Sequence, residues 1–312
     1  MSKRQIARRI LHILIVLIGV SFLTFCLTFI APGDPVTNMY AASGTMPSEE
    51  VLEAVREEMG LNRPFLAQYL SWLKGCLSGD LGTSYSLHRP VAQLLASRLW
   101  PTLKLALLSL VLMLAISVPF GMLAAVRQNG VADHIVRVLS FLGASLPNFW
   151  VGLLLIFIIG LKLSLLPVVS TGTGIREMIL PAVTLAIAMS AKYTRQVRTA
   201  VLEELHQDYV SGARTRGLSE TAILWKHVFP NSLLPLITLL GLSLGSLLGG
   251  TAVVEVIFSY PGLGSLAVSA VQAMDYPLIE GYVLWVAVIY MPLNLIVDIS
   301  YGLVDPHTRR AG

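Results

Sequence analysis

Apolar runs dominate this chain, and only short polar stretches interrupt them. Uncharged runs at residues 10–30, 105–126, 138–161 and 228–254 are each long enough to cross the ~30 Å of hydrocarbon in a bilayer. Two further runs carry charge without losing that length. Residues 178–197 hold Lys192 and Arg195 at one end, where long side chains reach water, and residues 281–304 are interrupted by Asp298. The pattern predicts six transmembrane helices. The first run follows Lys3, Arg4, Arg8 and Arg9 in the manner of a signal peptide. Its apolar stretch is too long for one and no small-residue cleavage site follows, so it reads as a retained span.

Between the first and second runs, Pro47 and Ser48 introduce a helix through Glu49, Glu50, Glu53, Arg56 and Glu58. Residues 71–90 are rich in Gly, Ser and aromatic side chains and read as an ordered loop, since Trp72, Leu73 and Leu81 would otherwise be exposed. Pro119, Pro147, Pro181, Pro235 and Pro292 fall inside or at the edge of spans and predict kinks there. Gly241, Gly245 and Gly249 repeat every four residues in the fifth span and form a seam for close helix packing. Glu255 and Asp298 are the ionisable residues in or near spans, and both read as solvated or paired structural carboxylates.

Composition agrees with the pattern: 55% of the residues are hydrophobic and 13% charged, where soluble domains carry about 45–50% and about 25%. With the N-terminus inside and six spans, the inner segments (1–9, 127–137, 192–227 and 305–312) hold 14 Lys and Arg and the outer ones eight. The positive-inside rule therefore puts both termini in the cytoplasm. The net charge of +4 then reports topology and gives no reason to invoke nucleic acid. Cys26 and Cys76 are too few for a thiol metal site, and His12, His88, His134, His206, His227 and His307 show no ligand spacing. No span presents paired catalytic groups, and no inverted repeat marks a self-contained secondary transporter.

Residues 195–235 are the most informative stretch. Val197, Val201, Leu205 and Tyr209 recur at i, i+4, with Val210 and Ala213 extending the face, so the fourth span is expected to continue inward as an amphipathic helix. Gly217 breaks it, Ser219 can cap a second short helix reaching Trp225, and Pro230 and Pro235 mark the return to the membrane. A hairpin joined to two spans is shaped to dock into a soluble partner and pass movement into the membrane. The apolar stripe is the expected docking face, so Ala213→Asp and Gly217→Val should block docking without lowering abundance.

Ser211-Gly-Ala213, three residues, Gly217, nine residues and His227-Val-Phe-Pro230 resemble the EAA loop of bacterial ABC importer permeases. Asp208, Tyr209, Ala213, Arg214, Gly217, Leu218 and Ser219 match the form of the peptide and nickel branch. Pro32-Gly-Asp-Pro35, Gly79-Asp-Leu-Gly82, Ser145-Leu-Pro147 with Phe149-Trp150, Tyr260-Pro-Gly-Leu-Gly264, Asp275-Tyr-Pro277 and Asp305-Pro306 are similar to strings of that branch.

The resemblance implies an all-α integral membrane protein of the type I, MetI-like fold. Residues 1–94 would form the N-terminal span and extracytoplasmic loop region, 95–304 the permease core with its coupling loop at about 197–230, and 305–312 a cytoplasmic tail. It implies a permease subunit of the bacterial inner membrane working with a second homologous permease, two cytoplasmic ATPases and an extracytoplasmic binding protein. The chain lacks G-x-x-x-x-G-K-[ST], so ATP and Mg would be bound by partner subunits, and the chain needs no cofactor and is not itself an enzyme. The coupling residues would be Asp208, Tyr209, Ala213, Arg214, Gly217, Leu218, Ser219 and Pro230. The short outer connection 162–177 resembles that of nickel permeases and points to nickel or a nickel chelate, with di- or oligopeptides as the alternative cargo.

Overall fold

The computed structural model describes residues 3–42, 44, 46–170 and 172–304 of the chain. Among the described residues it is built from helices alone, with one isolated antiparallel bridge between Thr83 and Pro90. The described residues divide into two compact units, one within 3–101 with 262–291 and one within 102–261 with 292–304.

The first unit opens with α1 (Lys3–Ile30), followed by the short helices α2 (Pro35–Ala42), α3 (Glu49–Glu58) and α4 (Phe65–Leu77). An aromatic cluster joins α1 to α4: Phe22, Phe25 and Phe29 meet Phe65, Tyr69 and Trp72 edge-on or tilted at 5.1–5.8 Å. Such rings gain about 0.5–1.5 kcal/mol per pair beyond burial. Ser21 and the Tyr69 hydroxyl share a buried 3.0 Å hydrogen bond in the same contact. The first turns of α5 (Val91–Val126) pack with α13 (Leu263–Gln272) and the start of α14 (Tyr276–Val304) around Leu81, Val91, Leu95, Leu266 and Leu278. The segment read as one loop at 71–90 is therefore helix through Leu77 and loop beyond it. Phe65, Tyr69 and Trp72 recur on one face of that helix, and the glycines lie near its end.

In the second unit the other helices gather on α8 (Ile175–Leu205), whose buried residues run from Met178 to Val201. The rest of α5 crosses it at Gly121, where a Cβ would lie 2.6 Å from that of Val197 and 2.8 Å from the carbonyl oxygen of Thr194. Only glycine admits that approach. α6 (Val131–Ser145) meets α8 at Gly143, beside Ala191, and α7 (Asn148–Leu155) meets it at Gly152, beside Thr184. α11 (Phe229–Gly250) and α12 (Ala252–Ile257) complete the unit after α9 (Asp208–Thr215) and α10 (Glu220–Ile223). Phe258 and Tyr260, both fully buried, fill the core beside Leu105, Leu180 and Leu185.

Among the described residues, α1 and α5 each suffice by length and composition to cross a membrane, and the pair α6 and α7 suffices together. That pair sharpens the reading of the third apolar run, expected as one span over 138–161 with a kink at Pro147. It bends by 99° between Ser145 and Asn148, because Pro147 cannot donate to the preceding turn and holds Leu146 extended. A π-helical turn, Ile156–Lys162, prolongs α7. Pro119, Pro181 and Pro292 instead stay within uninterrupted helices, so of these prolines Pro147 is the one that breaks its run. Pro235 falls inside α11, but its side chain lies outside the described residues.

Candidate functional site

The site singled out by sequence is the hairpin of α9 and α10 between α8 and α11. α8 stops at Leu205, and α9 restarts at Asp208 after Gln207, which is extended with ψ 151°. The restart resets the helical register. Val197, Val201, Val210 and Ala213 share one buried cluster with Ile223, Val228 and Leu236. Tyr209, expected on that stripe, is 38% exposed and donates its hydroxyl to Glu204 Oε2 at 2.6 Å.

The stripe thus corrects the docking expectation, because it is covered by the chain's own α5, α8 and α11 and is no free surface. Ala213 is 8% exposed. The face turned outward carries Tyr209, Leu218 and Trp225, the last 54% exposed and stacked edge-on against Phe229 at 5.4 Å. Asp208 occupies the first position of α9, where an acid suits the helix dipole.

The string from Ala213 to Ser219 is a helix stop followed at once by a helix start. The amide of Leu218 donates to the carbonyl of Ala213 at 3.3 Å and that of Gly217 to Arg214 at 3.0 Å, the paired closure of a Schellman motif. Gly217 holds the left-handed position with φ +77°, which costs other residues about 1 kcal/mol. Ser219 then accepts the amide of Ala222 on its Oγ at 3.3 Å and begins α10. Arg214 spans the turn to Glu220 at 2.7 and 3.1 Å, an exposed pair that aligns the two helices more than it stabilises them. From α10 the chain continues through a π turn, Leu224–Val228, directly into α11. The widened turn falls just before the exposed Pro230, where an α-helix would lack a donor.

Two further arrangements join residues that nothing in the sequence paired, although Asp275 itself belongs to the string Asp275-Tyr-Pro277. Asp133 of α6 is fully buried and receives Arg198 of α8 at 2.7 and 2.8 Å, with the Asn129 amide at 2.9 Å. The Arg198 guanidinium holds the Asp133 carboxyl at about 2, and the buried pair fixes α6 against α8. In the first unit Asp275, also fully buried, accepts Ser84 Oγ and Ser86 Oγ at 2.6 Å, and the amides of Ser86 and Tyr85 at 2.9 and 3.1 Å. It also caps α14 through the Leu278 amide at 3.3 Å.

The remaining motif residues sit at turns and caps. Asp34 caps α2 through Val36 and Thr37 and pairs with Arg56 of α3 at 2.6 Å, while Gly33, Gly79 and Gly82 take positive φ. Glu255 is fully buried and accepts hydrogen bonds from Thr102 and Thr251 at 2.9 and 3.0 Å, a paired structural carboxylate. Gly241 and Gly245 are buried within the chain. The surroundings of Gly249, the Asp298 side chain and the string Asp305-Pro306 lie outside the described residues. No group of three or more metal-ligating side chains forms among the described residues.

Comparison with known proteins places this geometry. The family model described as "binding-protein-dependent transport system inner membrane component" matches residues 117–310, and the model of its N-terminal region matches residues 2–106. The chain is 41% identical over 311 residues to the oligopeptide transport system permease protein AppB of Bacillus subtilis, covering 96% of this chain and 98% of that one. It is 36% identical over 301 residues to the nickel import system permease protein NikB of Staphylococcus aureus, covering 96% and 90%. In fold it resembles a chain of the MetNI methionine ABC transporter in an inward-facing conformation, with a TM-score of 0.55 at 18% identity over 68% of this chain and 97% of that one. The chain therefore belongs to the binding-protein-dependent transport system inner membrane components: it is a permease subunit of an ABC importer, and it is not itself a catalyst.

Proposed function

We propose that this chain forms half of the membrane path of a peptide importer of the bacterial inner membrane, paired with a homologous permease and driven by two cytoplasmic ATPases. ATP and Mg belong to those ATPases, and an extracytoplasmic binding protein delivers the cargo. Six spans, both termini inside and residues 31–98 outside complete the reading, with 1–94, 95–304 and 305–312 as its segments. The observation that carries it is the hairpin. One face is welded to α8 and α11 through Val210 and Ala213, and the other offers Tyr209, Leu218 and Trp225 to a partner. A push on the exposed face moves two long helices together. The exposed apolar faces of α1 and of α6 with α7, Leu27 and Phe141 among them, suit lipid or the second permease.

Short peptides are the cargo that relatives favour. A short outer connection does not single out nickel, because the oligopeptide permease of Bacillus subtilis matches 98% of its length over 311 residues and so has no long insertion relative to this chain. Nickel or its chelate is the second reading, supported by the nickel permease relative.

Leu218→Asp should abolish uptake and co-purification of the ATPases at normal abundance, and full uptake in that variant would refute the coupling role. Labelled oligopeptide and nickel, offered to cells bearing the whole system, separate the two cargoes. For topology, Leu77→Cys is the probe, being 84% exposed. Cys76 is half-buried, and burial pushes its thiol to about 12, so it reacts slowly wherever it lies. Labelling of Leu77→Cys only after the membrane is opened would overturn the outward placement.

A further inference from the structure

The first unit holds a half-open cavity of about 810 Å³ that none of the arrangements above uses. Its lining includes Glu280, Trp72 and Tyr276. Glu280 is 6% exposed and accepts one hydrogen bond, from Thr28 Oγ1 of α1 at 2.6 Å. It has no ion pair among the described residues. Arg56, which also lines the cavity, is committed to Asp34, Glu49 and Glu53. The other cationic lining residues, Arg63 and His88, are exposed. Trp72 Nε1 and Tyr276 Oη are buried and have no hydrogen-bond partner among the described residues.

A buried carboxylate facing open space with one hydroxyl partner calls for a cation. The absence of clustered metal ligands among the described residues favours an ammonium over a metal ion. The indole N–H calls for an oxygen acceptor, and the Tyr276 hydroxyl can serve either role. Phe25 and Trp72, with centroids 5.8 Å apart, add aromatic faces that attract cations. An amine placed next to a carbonyl offers a partner of the right kind to each of these groups, as the free amino end of a peptide does.

We propose that this cavity binds the amino end of a short peptide, with Glu280 receiving the ammonium and Trp72 donating to a peptide carbonyl. The peptide identity rests on the cargo reading above. The amine site itself does not.

The test uses the complete transporter in lipid nanodiscs without binding protein, and calorimetric titration with trialanine, N-acetyl-trialanine, ethylamine and nickel chloride. Trialanine should bind at least tenfold more tightly than its acetylated form. Glu280→Gln should remove that preference, and Trp72→Phe should weaken trialanine while leaving ethylamine unchanged. Trp72→Phe keeps the test open should Glu280→Gln fail to assemble. Equal binding of acetylated and free peptide, no binding by any amine, or an unchanged preference in Glu280→Gln would overturn the site. Glu280-dependent binding of ethylamine in a system that imports nickel and no peptide would uphold the amine site and defeat the peptide reading alone.

Discussion

The hairpin turn at Gly217 and the loop over residues 79–90 are both short, glycine-bearing connections built from motif strings, yet they are held in opposite ways. At Gly217 each constraint is local: the two closing amide bonds, the Ser219 cap and the Arg214–Glu220 pair all span six residues or fewer. The 79–90 loop is pinned from outside by Asp275, about 190 residues away in sequence, through two hydroxyls and two amides. A locally closed turn keeps its shape when its surroundings move, as the lever proposed for it must. The loop also closes on itself, Ser84 bonding Arg89 and Val91 bonding Gly82 at 3.0 Å, but the hold of Ser84, Tyr85 and Ser86 on the rest of the first unit passes through that one carboxylate.

The comparison breaks most directly at Asp275. Asp275→Ala leaves the buried Ser84 hydroxyl and Leu278 amide without their acceptor, and also removes the bonds to the half-buried Tyr85 and the exposed Ser86, a loss on the order of 3 kcal/mol. Abundance in the membrane should fall severely, and protease should cut within 79–90. Normal abundance and intact resistance would show that the loop holds itself.

Ala213→Asp comes next. Ala213 packs with Val197, Val201 and Val210, so the new carboxylate enters an apolar cluster at a cost on the order of 2 kcal/mol or more. The thermal midpoint in detergent should drop and abundance should fall, contrary to the sequence expectation that only docking would suffer. Leu218→Asp on the outward face should leave both unchanged. Equal midpoints in the two variants would mean that the stripe is not the inner face.

The same contrast explains what the sequence could disclose. The stop and start at Gly217 and Ser219 and the helix at 49–58 are written in neighbouring residues, and local rules recover them. The side of α9 that faces inward depends on the axis reset at Gln207, which moves Tyr209 out of the stripe that simple i, i+4 counting puts it in. Asp133 with Arg198, and Asp275 with Ser84, are pairs across 65 and 191 residues. No spacing rule joins residues so far apart. The bend after Ser145 was half visible: Pro147 marked a kink, while the unbroken hydropathy on both sides argued for one span.

Gly217 itself should prove a mild site. A Cβ there meets nothing within 4 Å, so Gly217→Ala carries only the backbone cost of φ +77°, about 1 kcal/mol. Abundance should hold, and ATP hydrolysis should partly uncouple from uptake as the two short helices lose their fixed angle. Unchanged coupling would show that the turn's angle is not what transmits movement.

The smallest effect is expected at Asp34, where a local cap and a distant ion pair meet. Burial works to raise its pKa, but the hydrogen bonds from Arg56, Thr37 and the Val36 amide outweigh it and hold the carboxyl at about 2. A depressed folded-state pKa gives stability that is present above the ordinary carboxylate value near 4 and lost as pH falls through about 2. The Asp34 side chain is 30% exposed, so solvent screens part of the contribution and the loss should be local. Peptic cleavage between residues 35 and 58, normalised to an unfolded substrate, should rise as the pH is lowered from 4 to 2. Asp34→Asn keeps a capping oxygen but gives up the charge, so its cleavage should already be raised at pH 4 and change little below it. A wild-type rate that stays flat over that interval would mean that α2 and α3 are joined by packing and not by the Asp34–Arg56 pair.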